Sequence, residues 1–295
     1  MNDENFNAKS GDLTKSASAL IKKISNAVGG IFKPPDVVRA AEAKAELTRM
    51  DAQGQETDLR RRAIHRLVEE EARYQSNIEG ITGLALPFLK NESSPLDVED
   101  DWITNFFDKS RIISDSEMQQ VWSRLLAGEA NTPGTFSKRT VNLLADLDKS
   151  DAELFVRLCG FNWVIENYVP LIFDFKSDVY NREGINFNSL SHLETLGLVR
   201  FNNVNHYVRL RLPKKVVVFY HGQPIELTLQ NEDNNELDVG TVLFTKAGQQ
   251  LALICGATPV EGFFDYIHDK WVSQGLAAKR ETEPIVSEDP PRESH

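Results

Sequence analysis

The spacing of the apolar residues changes along this chain, from a helical repeat to strict alternation. Val141, Leu144 and Leu147 recur at helical intervals, and so do other sets in the first half of the chain. Residues 207–212, Tyr-Val-Arg-Leu-Arg-Leu, alternate between outward and inward positions, which is the period of a strand. The sequence therefore predicts an α+β fold, with a mostly helical N-terminal two-thirds and a small C-terminal α/β module.

Composition limits the kind of protein. Of the 295 residues, 41% are hydrophobic and 26% are charged, as in a folded soluble protein, and the net charge of −11 argues against a protein that coats nucleic acid. Cys159 and Cys255 form no CxxC motif, the N-terminus has no signal-peptide pattern, and no apolar run reaches membrane-spanning length. We expect a cytoplasmic protein, with a peripheral position at the inner membrane as the alternative.

Turns, prolines and charge runs divide the chain into six predicted segments. Residues 1–35 form an amphipathic segment and residues 36–90 a long helical segment. Residues 91–101, rich in acids, are predicted to be a linker. A helical domain at 102–170, a second domain at 171–276 and a disordered tail at 277–295 complete the list.

The first amphipathic helix carries lysines and no acid. Such a helix can lie on an anionic membrane, and the alternative is that its apolar face docks on this protein or on a second copy. The predicted contact residues are Leu20, Ile21, Lys22, Lys23 and Ile24. The next helix, from residue 36 to residue 76, has too few apolar positions to bury itself, so we predict that the chain forms a homo-oligomer.

Residues 128–137 look at first like a phosphate-binding loop, because they hold two glycines, a proline and several hydroxyl groups. Gly128 and Gly134 have the wrong spacing for such a loop, and Thr135 stands where a lysine is needed. Turn residues are followed by Ser137, which is suited to begin a helix. The stretch is therefore predicted to join two helices.

Two further capping patterns predict helix starts. Residues 114–117, Ser-Asp-Ser-Glu, and residues 150–153, Ser-Asp-Ala-Glu, both match a capping box. The second pattern precedes Leu154, Leu158 and Trp163, which we place on one helix.

No set of residues predicts catalysis or a metal. The six histidines have no metal-ligand spacing, and Cys159 lies on an apolar stripe, which favours a buried, unreactive thiol. Asp174 and Lys176 would share one side of a strand, as in metal-dependent nucleases, but no further acid is expected beside them, and chance explains the pair better. We predict a protein that is not an enzyme and needs no cofactor.

A basic stretch is the strongest candidate for binding. No acid occurs between Thr195 and Ile225, and alternation predicts that Tyr207, Arg209 and Arg211 face solvent while Val208, Leu210 and Leu212 face inward. This strand could hold a phosphate backbone or the carboxylates of a protein partner. The predicted binding residues are Arg200, Tyr207, Arg209, Arg211, Lys214 and Lys215.

Two signatures resemble a known family. Residues 120–141, Gln-Val-Trp-Ser-Arg-Leu-Leu-Ala-Gly-Glu-Ala-Asn-Thr-Pro-Gly-Thr-Phe-Ser-Lys-Arg-Thr-Val, resemble the central signature of the bacterial domain-of-unknown-function family numbered twenty-eight-oh-six. Residues 240–251, Gly-Thr-Val-Leu-Phe-Thr-Lys-Ala-Gly-Gln-Gln-Leu, are similar to that family's second signature. The resemblance covers most of residues 20–270. The helix that ends Trp-Ser-Arg-Leu-Leu-Ala more faintly resembles the abortive-infection alpha domain of phage-defence proteins.

The C-terminal module resembles winged-helix modules. A short helix ends at Gly197, strands follow, and Thr245 begins another helix. Neither family resemblance supplies catalytic residues. We expect a regulatory or protein-interaction module without catalysis, linked to phage defence by the second resemblance. The alternatives are a nucleic-acid-binding protein that uses the basic strand and a membrane-associated abortive-infection effector.

Overall fold

The computed structural model describes residues 15–28 and 58–280. The chain divides into two compact units, Met1–Lys149 and Ser150–His295. The sequence pattern predicts a boundary after residue 170. Residues 36–57 of the helix predicted at 36–76 lie outside the described residues. Residues 281–295 of the predicted tail do so as well.

Five helices of unit 1 are described, as the sequence predicted for this part of the chain. The acceptor side chains at their starts include that of Asp115, which accepts from Glu117 N and Met118 N, and that of Ser137, which accepts from Thr140 N. The capping residue near 114–117 is therefore Asp115 and not Ser114. The helices are α1 (Lys15–Val28), α2 (Asp58–Ala85), α3 (Asp100–Ser110), α4 (Ser116–Asn131) and α5 (Lys138–Ala145), with 3₁₀ turns at Leu86–Phe88 and Pro95–Asp97.

Aromatic side chains of α3 and α4 form the centre of unit 1. The rings of Phe106 and Trp122 meet edge to face, with centroids 5.2 Å apart, and both side chains are fully buried. Trp102 Nε1 donates a hydrogen bond of 2.7 Å to the carbonyl oxygen of Phe136, which ties α3 to the turn that follows α4. Burial of rings of this size is the main stabilising contribution to such a core.

The predicted acidic linker at 91–101 stays a prediction, although two of its residues pack into unit 1. Pro95 and Val98 are buried, and Ser94 N donates to the carbonyl oxygen of Ala130 at 3.0 Å. Asp100 and Asp101 belong to the first turn of α3, where carboxylates interact favourably with the helix dipole. The acids at this end of the run therefore mark a helix start.

The stretch at 128–137 joins α4 to α5, as predicted. Glu129 is only 3% exposed, and its two carboxylate oxygens accept from Gly134 N and Phe136 N, both at 2.7 Å. Backbone N–H groups do converge here, but they bind a carboxylate of the chain itself. Burial raises the pKa of Glu129, and the two backbone hydrogen bonds oppose this rise.

Unit 2 contains five helices and nine strands within the described residues. Its first helix, α6 (Lys149–Cys159), starts one residue before Ser150, so the predicted capping serine lies inside the helix. The other helices are α7 (Asp178–Asn181), α8 (Phe187–Thr195), α9 (Lys246–Ala252) and α10 (Phe263–Ser273). The strands are β1 (Asn162–Ile165), β2 (Asn167–Pro170), β3 (Val199–Phe201), β4 (Tyr207–Leu212), β5 (Lys215–Tyr220), β6 (Gln223–Thr228), β7 (Asn235–Gly240), β8 (Val242–Phe244) and β9 (Ala277–Arg280).

Five strands form an antiparallel sheet in the order β2-β1-β5-β6-β9, and β3–β8 and β4–β7 form two separate antiparallel pairs. Two predictions are wrong here. Residues 162–170, expected to be helical with Trp163 on a helix, form the strand pair β1–β2, because Glu166 turns the chain with a φ of 62°. Residues 277–280, expected to be disordered, pair with β6 and extend the sheet.

Aromatic rings fill the space between the five-stranded sheet and α10. Trp163 and Tyr220 stack at 5.2 Å, and Trp163 meets Trp271 edge to face at 4.9 Å. The Tyr220 hydroxyl donates to the carbonyl oxygen of Gly160 at 2.8 Å and accepts from Val260 N at 2.7 Å. Burial raises the pKa of Tyr220 to about 12, so its hydroxyl stays protonated and serves as a structural link.

The predicted end of a helix at Gly197 and the predicted start of another at Thr245 are confirmed. Gly197 follows α8 with a φ of 79°, and the Thr245 side chain accepts from Gly248 N at the start of α9. Strands β5 and β6 form the predicted hairpin, but this hairpin belongs to the five-stranded sheet. The resemblance to a winged helix therefore stays a prediction.

Candidate functional site

Strand β4, which carries the central predicted binding residues, is bonded to β7. Val208 lies opposite Asp238, and Arg209 lies opposite Leu237. Residues directly opposite each other in an antiparallel pair share a face. Because Leu237 is buried, Arg209 points towards the interior side of this strand pair, and Val208 shares the other side with Asp238.

The predicted orientation of β4 is wrong in its first part. Val208 is 47% exposed and Leu210 is 55% exposed, whereas Arg209 is half-buried. An irregularity in register lies between Arg209 and Leu212, and Arg211 there has a φ of 62°. This bulge inserts one extra residue into β4, so Leu212 lies on the buried side as predicted. Arg209 and Arg211 therefore do not share one face of the strand.

The two lysines among the predicted binding residues form ion pairs with acidic side chains. Lys214 Nζ forms an ion pair with Glu232, and Lys215 Nζ lies 2.9 Å from an oxygen of Glu226. Both acids come from beyond the acid-free stretch of the sequence, which folds back against its neighbours in antiparallel strands. The predicted basic surface is therefore of mixed charge at this end.

The other predicted residues lie on separate strand pairs. Exposed Arg200 lies on β3 opposite Leu243 of β8, while half-buried Tyr207 lies on β4 opposite Gly240 of β7. Next to this pair, His206 Nδ1 lies 2.8 Å from Asp238 Oδ2. The six predicted residues therefore do not form one continuous basic strand face.

The exposed side of the β4–β7 pair is a surface that was not predicted from the sequence. We define the outer ribbon face as Val208, Leu210, Glu236 and Asp238. Two aliphatic side chains lie there beside two acids, while the buried side of β7 carries Leu237 and Val239. The alternation of residues 235–240 is a signal that could have found the buried side, because it predicts Leu237 and Val239 on one face.

In α1, the predicted contact residues fall into two groups. Leu20 and Ile24 are fully buried within unit 1, and Lys23 Nζ lies 2.8 Å from Asp100 Oδ1. Ile21 is half-buried and Lys22 is exposed. The helix therefore turns its main apolar residues to its own unit. None of the described helices combines the length and apolar character that crossing a membrane requires.

The other residues considered for catalysis or metal binding lie in surroundings that are typical of structural residues. Burial and a hydrogen bond with Cys255 raise the pKa of the Cys159 thiol. Residues 171–176 do not form the strand considered above, since Lys176 N donates to Asp174 Oδ1 at 3.0 Å in a turn. Across residues 15–28 and 58–280, no three His, Cys, Asp or Glu side chains come together as metal ligands.

Comparison with protein families gives one match. The model of the family described as "Protein of unknown function (DUF2806)" matches residues 61–268, which is more than half of the chain. No curated protein and no solved structure matches the chain. The family resemblance predicted from the two signatures is confirmed, and the resemblance to the abortive-infection alpha domain stays a prediction.

Proposed function

The chain belongs to the DUF2806 family, and on this premise we propose that it is a non-catalytic protein-interaction module whose partner binds the outer ribbon face. The observation that carries the proposal is the exposure of Val208 and Leu210, neighbours on one side of a strand. Exposed aliphatic residues grouped on a sheet face are typical of interaction sites, whereas single exposed ones are common everywhere.

The charges on this face indicate the chemistry of the partner. Glu236 and Asp238 lie beside the two aliphatic residues, and His206 is held by Asp238. A partner surface that offers an apolar centre with lysine or arginine around it would complement both features. A nucleic-acid backbone would meet carboxylates here, so phosphate contact is disfavoured.

The proposal also includes a regulatory role for this protein and a location in the cytoplasm. Two cysteines without a CxxC pattern and an acidic net charge support a cytoplasmic role. Phage defence is supported only by the fainter resemblance of the helix around Trp122. Membrane contact through α1 has little support, because its main apolar residues Leu20 and Ile24 are buried.

Capture of partners from native cells tests the proposed surface. The unmodified protein should retain a protein partner after nuclease treatment, and the double variant Val208→Asp with Leu210→Asp should lose it. Val217→Asp is the matched control, since Val217 is an exposed valine on strand β5 of the other sheet. Equal capture by all three proteins would remove the outer ribbon face from consideration.

Two further measurements separate the alternatives. Salt-sensitive binding of DNA or RNA that Arg209→Glu with Arg211→Glu abolishes would favour the nucleic-acid function. Turnover of nucleotides or nucleic acids with Mg²⁺ or Mn²⁺ that disappears in Asp174→Ala would show that the protein is an enzyme. We expect neither result.

A further inference from the structure

The N-terminal half of α2 is an exposed helix. None of the described residues from Asp58 to Ser76 is buried, and the first buried residue of α2 is Asn77. Leu59 is 70% exposed and Leu67 is 62% exposed. Residues 58–73 extend over about 24 Å at 1.5 Å per residue, which is long enough for several layers of contact with another helix.

In this half of the helix, charged residues at equal distances on either side of its centre have opposite signs. Arginines occupy positions 60–62 on one side of His65 and Arg66, and glutamates occupy positions 69–71 on the other side. The order is reversed at the outer ends, where Asp58 matches Arg73. A helix with this pattern is complementary to a second copy of itself that runs in the opposite direction.

We infer that residues 58–73 of two copies pair as antiparallel helices, with a twofold axis between His65 and Arg66. In this register, arginines 60–62 of one copy lie at the same level along the axis as glutamates 69–71 of the second copy, and Arg60 and Glu71 lie on the facing sides. A parallel arrangement would put arginine against arginine and glutamate against glutamate. Charge therefore selects the antiparallel orientation.

The apolar residues fit the same register. Arg60, Ile64, Leu67 and Glu71 follow at spacings of four, three and four residues, so they lie along one face of the helix. Antiparallel pairing puts Ile64 of each copy against Leu67 of the other at the centre. Arg60 then meets Glu71 of the second copy at each end, so charged positions on the apolar face gain opposite partners.

Two ion pairs within one copy, one at His65 and one at Arg62, do not compete strongly with this pairing. His65 Nδ1 lies 3.4 Å from Glu69 Oε2, and Arg62 Nε lies 3.3 Å from Asp58 Oδ2. All four side chains are more than two-thirds exposed, and exposed pairs of this kind contribute little to stability. A second copy can therefore disturb these ion pairs at small cost.

Charge exchange in the full chain tests the inference. An acid variant replaces Arg60, Arg61 and Arg62 by glutamate, and a base variant replaces Glu69, Glu70 and Glu71 by arginine. Sedimentation over the micromolar range should show a dimer of the unmodified protein, weakened at least about a hundredfold in each variant, because like charges would meet. Mixing the two variants should restore a dimer that contains one chain of each.

Two controls define the register. The variant with both exchanges is complementary to itself again and should form a dimer like the unmodified protein. Leu67→Ser should weaken the dimer, whereas Leu84→Ser, at an exposed position of the same helix outside the pairing region, should not. Circular dichroism establishes that every variant keeps its helix content.

The base variant separates pairing from general repulsion. It moves the net charge from −11 closer to zero, so general repulsion predicts a tighter dimer, and the inferred register predicts a weaker one. A monomer throughout the range overturns the inference and leaves this face to residues 29–57 or to another protein. A dimer that both variants preserve overturns it as well.

Discussion

The turn after α4 and the β4–β7 strand pair each bury polar atoms of a charged side chain, with different results. Glu129 in the turn has a hydrogen bond for each carboxylate oxygen. Arg209 in the strand pair has a buried Nε with no hydrogen-bond partner among the described residues. A buried polar group with its partners stabilises one conformation, whereas one without a partner costs free energy. The turn is therefore a built structural element, and the strand pair is the place to look for a partner.

The largest expected effect is in the strand pair, at Gly240. A Cβ added there would lie 2.3 Å from the carbonyl oxygen of Ile172, and the φ of Gly240 is 85°. Backbone cannot move aside as a side chain can, so we expect Gly240→Ala to lower the free energy of unfolding by about 4 kcal/mol. Urea unfolding measures this change.

Gly222→Ala is the control for Gly240→Ala. Gly222 has a φ of 87° but nothing within 4 Å of its added Cβ, so only the backbone conformation is disfavoured. We expect a loss of about 1–2 kcal/mol. Equal losses for the two variants would mean that the close approach to Ile172 does not constrain β7.

In the turn, Glu129→Ala should lower the free energy of unfolding by about 3 kcal/mol, because Gly134 N and Phe136 N would lose their acceptors in a buried place. Thermal unfolding measures the loss. Glu129→Gln keeps one acceptor oxygen and should lose less. If the alanine variant were as stable as the unmodified protein, the loop would not depend on this carboxylate.

A smaller effect is the pH dependence of the same residue. Burial raises the pKa of Glu129 above 4.5, so the folded state binds its proton more tightly than the unfolded state does. The resulting contribution to the free energy of unfolding is fully present below pH 4.5. It is lost as the pH rises through the raised pKa. The stability of the unmodified protein relative to Glu129→Gln should therefore fall across this range. A relative stability that rises with pH would contradict the raised pKa.

The smallest effect is expected at Arg209, the counterpart in the strand pair. Arg209→Met keeps the aliphatic stem and removes the nitrogen that has no partner, so stability should stay the same or rise by no more than about 0.5 kcal/mol. Arg200→Met on exposed β3 gives the surface reference. A loss of about 2 kcal/mol or more at Arg209 would show that its guanidinium forms an important contact and would weaken the contrast with Glu129.

Local signals in the sequence predicted much of unit 1. Ser137 begins a helix because its side chain needs only an N–H group three residues away. The turn before it was predicted from Pro133 and Gly134, yet the role of Glu129 was missed, because its partners are fixed only when the loop closes. The packing of residues 91–101 was missed for a similar reason, since composition does not show that Val98 is buried.

The candidate site was predicted in part. Alternation identified β4 as a strand, and the bulge at Arg211 has no clear signal in residues 207–212. The acids Glu226 and Glu232, which pair with Lys215 and Lys214, lie outside the stretch that looked basic. The outer ribbon face was therefore not among the predicted sites.

By itself, the sequence determined the α+β class, the family, the helix starts at Ser137 and Thr245 and the period of β4, because each depends on neighbouring residues or on a local motif. Only the tertiary structure decided which side of β4 is buried. Alternation distinguishes two faces but does not say which one meets the core. That choice depends on Leu237 of β7, which is buried and lies opposite Arg209, so the side of β4 that carries Arg209 faces inward.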